Sequence, residues 1–88
     1  MREKELEKEF KALANRRRIL ILAYLSKHPG ASVGDISDDI NLSFKSTSRH
    51  LAVLAHAGMI EKIPDGLAVR HKLAEKKNPF VAAILNQL

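Results

Sequence analysis

The amino-acid sequence predicts a mainly α-helical fold with one small β-hairpin, in the order four helices, two strands and a fifth helix. Apolar residues recur at the three- and four-residue spacing of amphipathic helices over most of the chain, and helix-capping residues separate these segments. Between residues 60 and 73 the pattern changes to alternation around Pro64-Asp65-Gly66, which is typical of a hairpin.

Length and composition limit the classes of protein that fit. Eighty-eight residues predict one domain spanning 1–88, near the lower size at which a single core holds a fold alone, so oligomerisation is expected. The absence of cysteine excludes disulfides, thiolate zinc sites and a cysteine nucleophile. The longest apolar run, residues 19–25, is too short to span a bilayer, and Met1 does not open a signal peptide. We therefore expect a cytoplasmic protein that does not enter membranes.

The first two helices are predicted from their apolar spacing. Residues 3–14 form an amphipathic helix in which Leu6, Phe10 and Leu13 share one stripe among charged residues. Asn15 can cap a second helix that runs to about Lys27. Residues 19–25 of that helix are apolar on all sides, so they are expected at the centre of the core, and the following Pro-Gly pair ends the helix.

A short third helix follows a capping signal. Ser32 and Asp35 have the spacing of a capping box, with Asp in place of Glu, and the helix they open is expected to bury Val33, Ile36 and Ile40. Residues 41 and 42 then make a tight link to the next helix.

The fourth helix carries the main functional signal. Ser43 is its predicted N-cap, Phe44 its approximate start, and Gly58 its left-handed end. At 100° per residue, the side predicted to pack comprises Phe44, Thr47, Leu51, Leu54 and Gly58. The opposite side comprises Lys45, Ser46, Arg49, Val53 and His56. The helix is thus predicted to pack on a core while it exposes a basic, hydrogen-bonding ridge.

The strands are predicted over residues 60–63 and 67–73. In the second strand Leu67, Val69, His71 and Leu73 alternate with Ala68, Arg70 and Lys72, so one face is expected to pack and the other to present cations. Asn78 and Pro79 then open a terminal helix over residues 79–88.

Two short helices joined by a tight turn, the second of them basic, predict a helix-turn-helix over about 32–57, with the hairpin at about 60–73 as a wing. The net charge of +5 supports a phosphate-binding function, because residues 43–77 hold seven Lys and Arg against three Asp and Glu. A solvated basic surface gives the same count. The alternative is a winged-helix protein-interaction module that does not bind DNA.

The segments LANRRRILILAYL, from Leu13, and LSFKSTSRHLAVLAHAGMIEK, from Leu42, resemble ArsR-type winged helix-turn-helix regulators. The resemblance covers nearly the whole chain. It implies a transcriptional repressor that forms a homodimer through its first and last helices and reads a palindromic double-stranded DNA operator, so the protein would be nucleoid-associated when bound. Phe44 and Thr47 depart from the family pattern, which tends to have polar and Val residues there.

The expected DNA contacts follow from side-chain chemistry. Arg49 suits bidentate contact with guanine, Lys45 and Ser46 can reach base edges or phosphates, and Arg70 and Lys72 on the wing are expected at the backbone or minor groove. Ser43 can add the capped N–H groups to a phosphate. The resemblance adds the Ser/Thr-rich stretch that includes Ser48, and implies that His50 supports the helix or donates to a phosphate. Two neighbouring acidic residues, Asp38 and Asp39, would repel phosphate unless they point away from it.

Apolar stripes on the terminal helices predict the dimer interface. The residues are Leu6, Phe10, Leu13, Phe80, Val81, Ile84, Leu85 and Leu88. The alternative is that these residues fold onto the core of their own chain.

Catalysis and metal binding are not predicted. His50 and His56 lie six residues apart, about 120° from each other on a helix, so they cannot bind one ion as an i, i+4 pair. His71 is expected on the packed face of the wing and His28 at a helix end. No catalytic triad or phosphate-binding glycine loop is present. The segments SVGDISDDI and PFVAAILNQL, where metal-sensing relatives carry ligands, lack Cys and His. We therefore predict no enzyme activity, no cofactor and no metal site.

Overall fold

A computed structural model describes all residues, 1–88, and its five helices and two strands follow the predicted order. The elements are α1 (Glu3–Leu13), α2 (Arg16–Lys27), α3 (Val33–Ile40), α4 (Phe44–His56), β1 (Ile60–Asp65), β2 (Ala68–Leu73) and α5 (Pro79–Asn86). None of these helices has the length and apolar character needed to cross a bilayer.

The predicted helix caps are all present. In each case a side-chain oxygen accepts one or two of the backbone N–H groups of the first helical turn, at 2.9 to 3.2 Å; the caps are Asn15, Ser32, Ser43 and Asn78. The capping box is complete, because Asp35 also accepts the backbone N–H of Ser32 at 3.1 Å. These bonds satisfy N–H groups that have no partner inside the helix, and thereby fix where α2, α3, α4 and α5 begin.

The turn between α3 and α4 brings the two helices of the helix-turn-helix together. Asn41 ends α3 in the left-handed region, with φ of 53°, a conformation that Asn tolerates better than most residues. The backbone N–H of Leu42 donates to the carbonyl of Ser37 at 3.0 Å. The chain can therefore reverse within three residues, and Ile36 of α3 and Leu51 of α4 enter the same core.

The core is built around α2, as predicted, although one residue of its apolar run is exposed. Ile21, Leu22 and Leu25 are fully buried, and they join side chains from every helix and from β1. The expectation that the whole run is central is wrong for Leu20, which is 43% exposed. In a domain of this size even the central helix is covered over only part of its circumference, so an unbroken apolar run leaves some of its residues in solvent.

The hairpin is anchored at its base and free at its tip. His71 is buried, as predicted, and both its backbone N–H and its Nδ1–H donate to the carbonyl of Ala31, at 2.9 and 3.0 Å. The prediction that Leu67 and Val69 pack is wrong: Leu67 is fully exposed in the turn, and Val69 is largely exposed. The two-residue turn is Gly66-Leu67, with φ of 63° at Gly66, so β2 begins at Ala68 and β1 continues to Asp65. These residues project beyond the core, where no other element covers them.

Candidate nucleic-acid interface

The packed side of α4 follows the prediction at Thr47, Leu51 and Leu54, but not at Phe44 or at Gly58, which are both exposed. Thr47, Leu51 and Leu54 are fully buried, and Gly58 takes a φ of 74° just after the helix ends. Phe44, predicted on the packed side, is instead 63% exposed. It occupies the first helical position, at the end of the helix, where no other element covers its ring.

The opposite side of α4 is exposed and basic. Lys45 and Arg49 lie one turn apart, and both are exposed. Neither takes part in any of the ion pairs of the molecule or in any side-chain hydrogen bond. Ser48 beside them is also exposed, whereas Ser46 is half-buried. The two charges are therefore held outward by the packing of Thr47 and the leucines behind them.

The first turn of α4 offers backbone donors next to these side chains. The N–H groups of Ser46 and Thr47 bond to Oγ and O of Ser43, at 3.1 and 2.9 Å. The N–H groups of Phe44 and Lys45 have no partner. Free N–H groups at a positive helix end attract anions, so this turn can bind a phosphate with those two groups rather than with the N–H that Ser43 caps.

Two arginines of α2 hold the ends of α1 and α3 in place, a role that was not predicted from the sequence. Arg17 donates from Nη1 to the carbonyl of Ile40, the last residue of α3, at 2.7 Å. Arg18 donates to the carbonyls of Ala12 and Lys11 at the end of α1, at 2.6 and 3.0 Å. Cations near the ends of helices satisfy carbonyls that have no partner within the helix. The only signal for this role in the sequence is the run of three arginines that follows the Asn15 cap.

His50 lies against Arg18 rather than in open solvent. Arg18 Nη1 is 3.3 Å from Nδ1 of His50, and because the guanidinium can only donate, Nδ1 is the acceptor and the ring proton sits on Nε2. Burial, and then the charges of Arg18 and Arg17, lower the pKa of His50. The predicted role of supporting the helix thus has a specific partner, and only the Nε2–H is left to donate to DNA.

The predicted wing cations already have partners. Arg70 donates to Asp65 at 2.7 Å and to the carbonyl of Gly30 at 3.1 Å. Lys72 lies 3.1 Å from Glu75 and 3.7 Å from Glu61. Hydrogen bonds to Asp65 and Glu75 respectively are the main causes that raise the pKa of Arg70 and of Lys72.

One cation of the two strands has no such partner. Lys62 in β1 is exposed and belongs to no ion pair. The sequence alone does not distinguish Lys62 from Arg70 and Lys72, because the carboxylates that pair with those two cations can be identified only once the strand register is known. Lys62 is paired with His71 in the register, so it lies on the opposite face of the hairpin from Arg70 and Lys72, and it is a further candidate wing contact.

The helix α3 carries three acidic residues, Asp35, Asp38 and Asp39. Asp38 and Asp39 are exposed. Burial, and then the charges of Asp35, Asp39 and Asp38, raise the pKa of Tyr24 on α2. Asp35 itself has a lowered pKa, chiefly through its hydrogen bonds with Ser32.

The terminal helices meet through two aromatic rings. Phe10 of α1 and Phe80 of α5 have centroids 4.7 Å apart, and Phe10 remains 50% exposed. Leu88 is exposed, and the half-buried apolar residues beside them are Leu6, Ile84 and Leu85. The prediction requires correction at Leu13 and Val81, which are 5% and 6% exposed and belong to the core of their own chain. Both side chains join the core cluster that contains Ile21 and Leu22 of α2.

No group of three or more His, Asp or Glu side chains is arranged to hold a metal ion. The chain has no cysteine.

Comparison with known proteins identifies this arrangement. The model of the family described as bacterial regulatory protein, arsR family, matches residues 15–62, more than half of the chain. The chain belongs to the ArsR family. The family resemblance predicted from the sequence is confirmed, and so is the winged helix-turn-helix fold. The protein is a DNA-binding transcriptional regulator of the ArsR family and not an enzyme.

Two individual relatives align with most of the chain. The chain is 36% identical over 78 residues to the HTH-type transcriptional regulator YgaV of Escherichia coli, with 89% of this chain and 76% of that protein covered. It is 32% identical over 78 residues to the transcriptional activator HlyU of Vibrio cholerae, with 89% of this chain and 71% of that protein covered.

Two solved structures share the fold over nearly the whole chain. Reduced HlyU from Vibrio cholerae superimposes with a TM-score of 0.79 at 30% identity, covering 98% of this chain and 86% of that one. The homodimeric winged helix-turn-helix DNA-binding domain of Mb0332 from Mycobacterium bovis gives 0.80 at 25% identity, covering 96% and 74%.

Proposed function

We propose that this ArsR-family protein is a homodimeric, sequence-specific repressor in which α4 reads the major groove of a palindromic operator. The observation that carries the proposal is the pair Lys45 and Arg49, exposed on α4 and free of ion pairs. Binding to phosphate or base edges costs such cations little free energy, because they do not have to break an ion pair. The release of counterions from the DNA then favours the complex. Membership in a DNA-binding family favours this function over a protein-interaction module.

Each predicted residue has a role in this proposal. Arg49 makes the bidentate contact with guanine, Lys45 and Ser48 reach base edges or phosphates, and Ser46 and Ser43 hold the first turn against the backbone. His50 donates from Nε2 to a phosphate while Nδ1 stays with Arg18.

The wing contacts the backbone or minor groove. Lys62 does so directly because it is unpaired. Arg70 and Lys72 contact DNA by exchanging their carboxylate partners for phosphate, so their net contribution is smaller.

In this proposal the dimer forms through the terminal helices; the homodimeric state of the relative Mb0332 supports dimer formation itself. The exposed or half-buried apolar residues there supply the contact: Leu6, Phe10, Phe80, Ile84, Leu85 and Leu88. A two-fold dimer places two copies of α4 in successive major grooves about 34 Å apart. On this proposal the protein works in the cytoplasm, on the nucleoid.

Selection of bound sequences from a random duplex pool tests the proposal. We expect an inverted repeat with half-site centres about one helical turn apart. Affinity for that site should fall with salt, with a log–log slope of about −0.9 per phosphate neutralised. Recovery of no enriched sequence, or binding that does not respond to salt, would contradict the proposal.

Variants of Arg49 separate base reading from charge. Arg49→Ala should cost about 1–3 kcal/mol on the selected site and little on random DNA. Arg49→Lys keeps the charge but loses the bidentate geometry, so it should retain binding to random DNA and lose discrimination. Equal losses on both DNAs would make Arg49 a phosphate contact.

The repressor assignment has its own test, since the relative HlyU is described as an activator. A dimer bound over a promoter excludes polymerase from the same DNA. Transcription in vitro from a promoter that overlaps the selected site should therefore fall as protein is added. A rise in transcript would assign activation instead.

A further inference from the structure

Phe44 places an apolar ring at the N-terminal end of α4, the helix proposed to enter the major groove. It is 63% exposed, although it stands between Ser43 and Lys45. It belongs to neither aromatic pair of the molecule, which are Phe10 with Phe80 and Tyr24 with His28. The fold therefore makes little use of this ring, and a binding partner can contact it.

The position of Phe44 on α4 places it with the DNA-contacting residues. On a helix it lies about 40° from Ser48 and about 100° from Lys45, so the three share one exposed arc. In helix-turn-helix proteins the N-terminal residues of the second helix contact the base edges. The free N–H groups of Phe44 and Lys45 point to the same conclusion, because a phosphate bound there would bring the first turn against the DNA.

The chemistry of the ring limits what it can recognise. A phenyl group neither donates nor accepts a hydrogen bond, so it cannot read the donor and acceptor pattern of the bases. The apolar group that the major groove presents is the C5-methyl of thymine. We propose that Phe44 is a specificity-determining residue that packs on a thymine methyl in each half-site. This inference rests on the proposed function, since it requires α4 to enter the major groove.

The expected size of the effect follows from the burial of one methyl group. Loss of one such contact corresponds to about a fourfold loss of affinity, and loss of both contacts in a dimer to about 15-fold. If the ring of Phe44 packed against a phosphate instead, the affinity for DNA would not depend on the thymine methyl, because that methyl would stay in water.

Deoxyuridine substitution in the selected operator tests the contact. Deoxyuridine lacks the thymine methyl and keeps every hydrogen-bonding group, so it removes only the proposed contact. Each thymine is replaced in turn in both half-sites, and affinity is measured at constant salt. We expect one position at which wild-type protein loses about 15-fold. Phe44→Ala should lose a similar factor on the thymine operator and be indifferent to deoxyuridine at that position.

Two variants serve as controls. Val53→Ala removes another exposed apolar side chain of α4 and should leave the response to deoxyuridine intact. Phe44→Leu keeps an apolar contact and should retain part of the affinity loss on deoxyuridine substitution. This variant provides a second test if Phe44→Ala folds poorly.

The outcomes separate this inference from the proposed function. If no sequence is selected, the proposed function fails as well. If a site is selected but no thymine shows a methyl dependence that Phe44→Ala removes, the role of Phe44 is overturned and sequence-specific binding stands.

Discussion

Arg18 and His50 share a hydrogen bond across 3.3 Å that joins α2 to α4. The same guanidinium donates to the carbonyls of Lys11 and Ala12, so one side chain links the end of α1, the start of α2 and the middle of the proposed reading helix. A bond that requires an unprotonated Nδ1 beside a permanent cation depends on pH.

The lowered pKa of His50 predicts a loss of stability on acidification. The unfolded chain, with a His50 pKa of about 6.5, binds this proton more readily than the folded chain. The contribution of neutral His50 to the free energy of unfolding is therefore fully present above the unfolded-state pKa. It falls as the pH drops below that pKa and is lost once the pH has passed the lowered folded-state pKa. Urea unfolding between about pH 7 and pH 5 should show the free energy of unfolding declining over this range.

Two variants test whether the imidazole of His50 causes this decline in the free energy of unfolding. His50→Gln keeps an oxygen that can accept from Arg18 and should flatten the dependence. His56→Gln changes an exposed histidine of the same helix and should leave it unchanged. An unaltered slope in His50→Gln would show that other groups cause the loss.

The local features of the fold were predictable from sequence because their causes are local. A cap such as Asn15 or Ser43 acts on N–H groups two or three residues away, and a glycine such as Gly58 acts on its own φ. The outward position of Lys45 and Arg49 followed in the same way, since helical spacing sets them opposite the buried leucines.

The remaining features depend on which parts of the chain meet in space. Helical spacing placed Phe44 and Leu20 among packed residues, but their exposure depends on whether a neighbouring element covers that end or side. The partners of Arg18 lie up to 32 residues away, and those of Arg70 up to 40. Helical and strand periodicity carries no information about contacts at such separations.

Thr47 gives a prediction on stability. Its side chain is fully buried, and Oγ1 has no hydrogen-bond partner. A buried hydroxyl without a partner costs about 1–3 kcal/mol, so Thr47→Val, which replaces it with a methyl of similar size, should raise the free energy of unfolding by about 1 kcal/mol. The melting temperature should rise by roughly 4–8 °C, measured by thermal unfolding.

Thr47→Ser is the matched control for that substitution. It keeps the hydroxyl and removes the buried methyl, so it should destabilise the protein. If Thr47→Val were the less stable variant, the hydroxyl would have a partner in solution.

The wing predicts unequal effects for two lysines. Lys62 is unpaired, so Lys62→Ala should lower the salt slope of DNA binding by about 0.9 per protomer. Lys72→Ala should lower it less, because contact with DNA requires Lys72 to leave Glu75. Titrations of the selected operator at several salt concentrations measure both slopes, and the reverse order would assign the phosphate contact to Lys72.

Phe10 predicts the dimer contact. Half of its surface is exposed beside Phe80, in a position to pack against a second chain. Phe10→Glu places a charge that cannot be buried without cost in that contact, so sedimentation at micromolar concentration should show a monomer where the wild type is a dimer. The monomer should lose preference for the inverted repeat over a single half-site.

Leu67→Glu is the control, since Leu67 is a fully exposed apolar residue far along the hairpin from the terminal helices. It should sediment as a dimer. Circular dichroism should confirm that Phe10→Glu keeps its helices, which separates loss of association from loss of folding. A folded Phe10→Glu that still sediments as a dimer would place the interface elsewhere, and a wild-type monomer would remove the fixed spacing between two reading helices on which the palindromic operator depends.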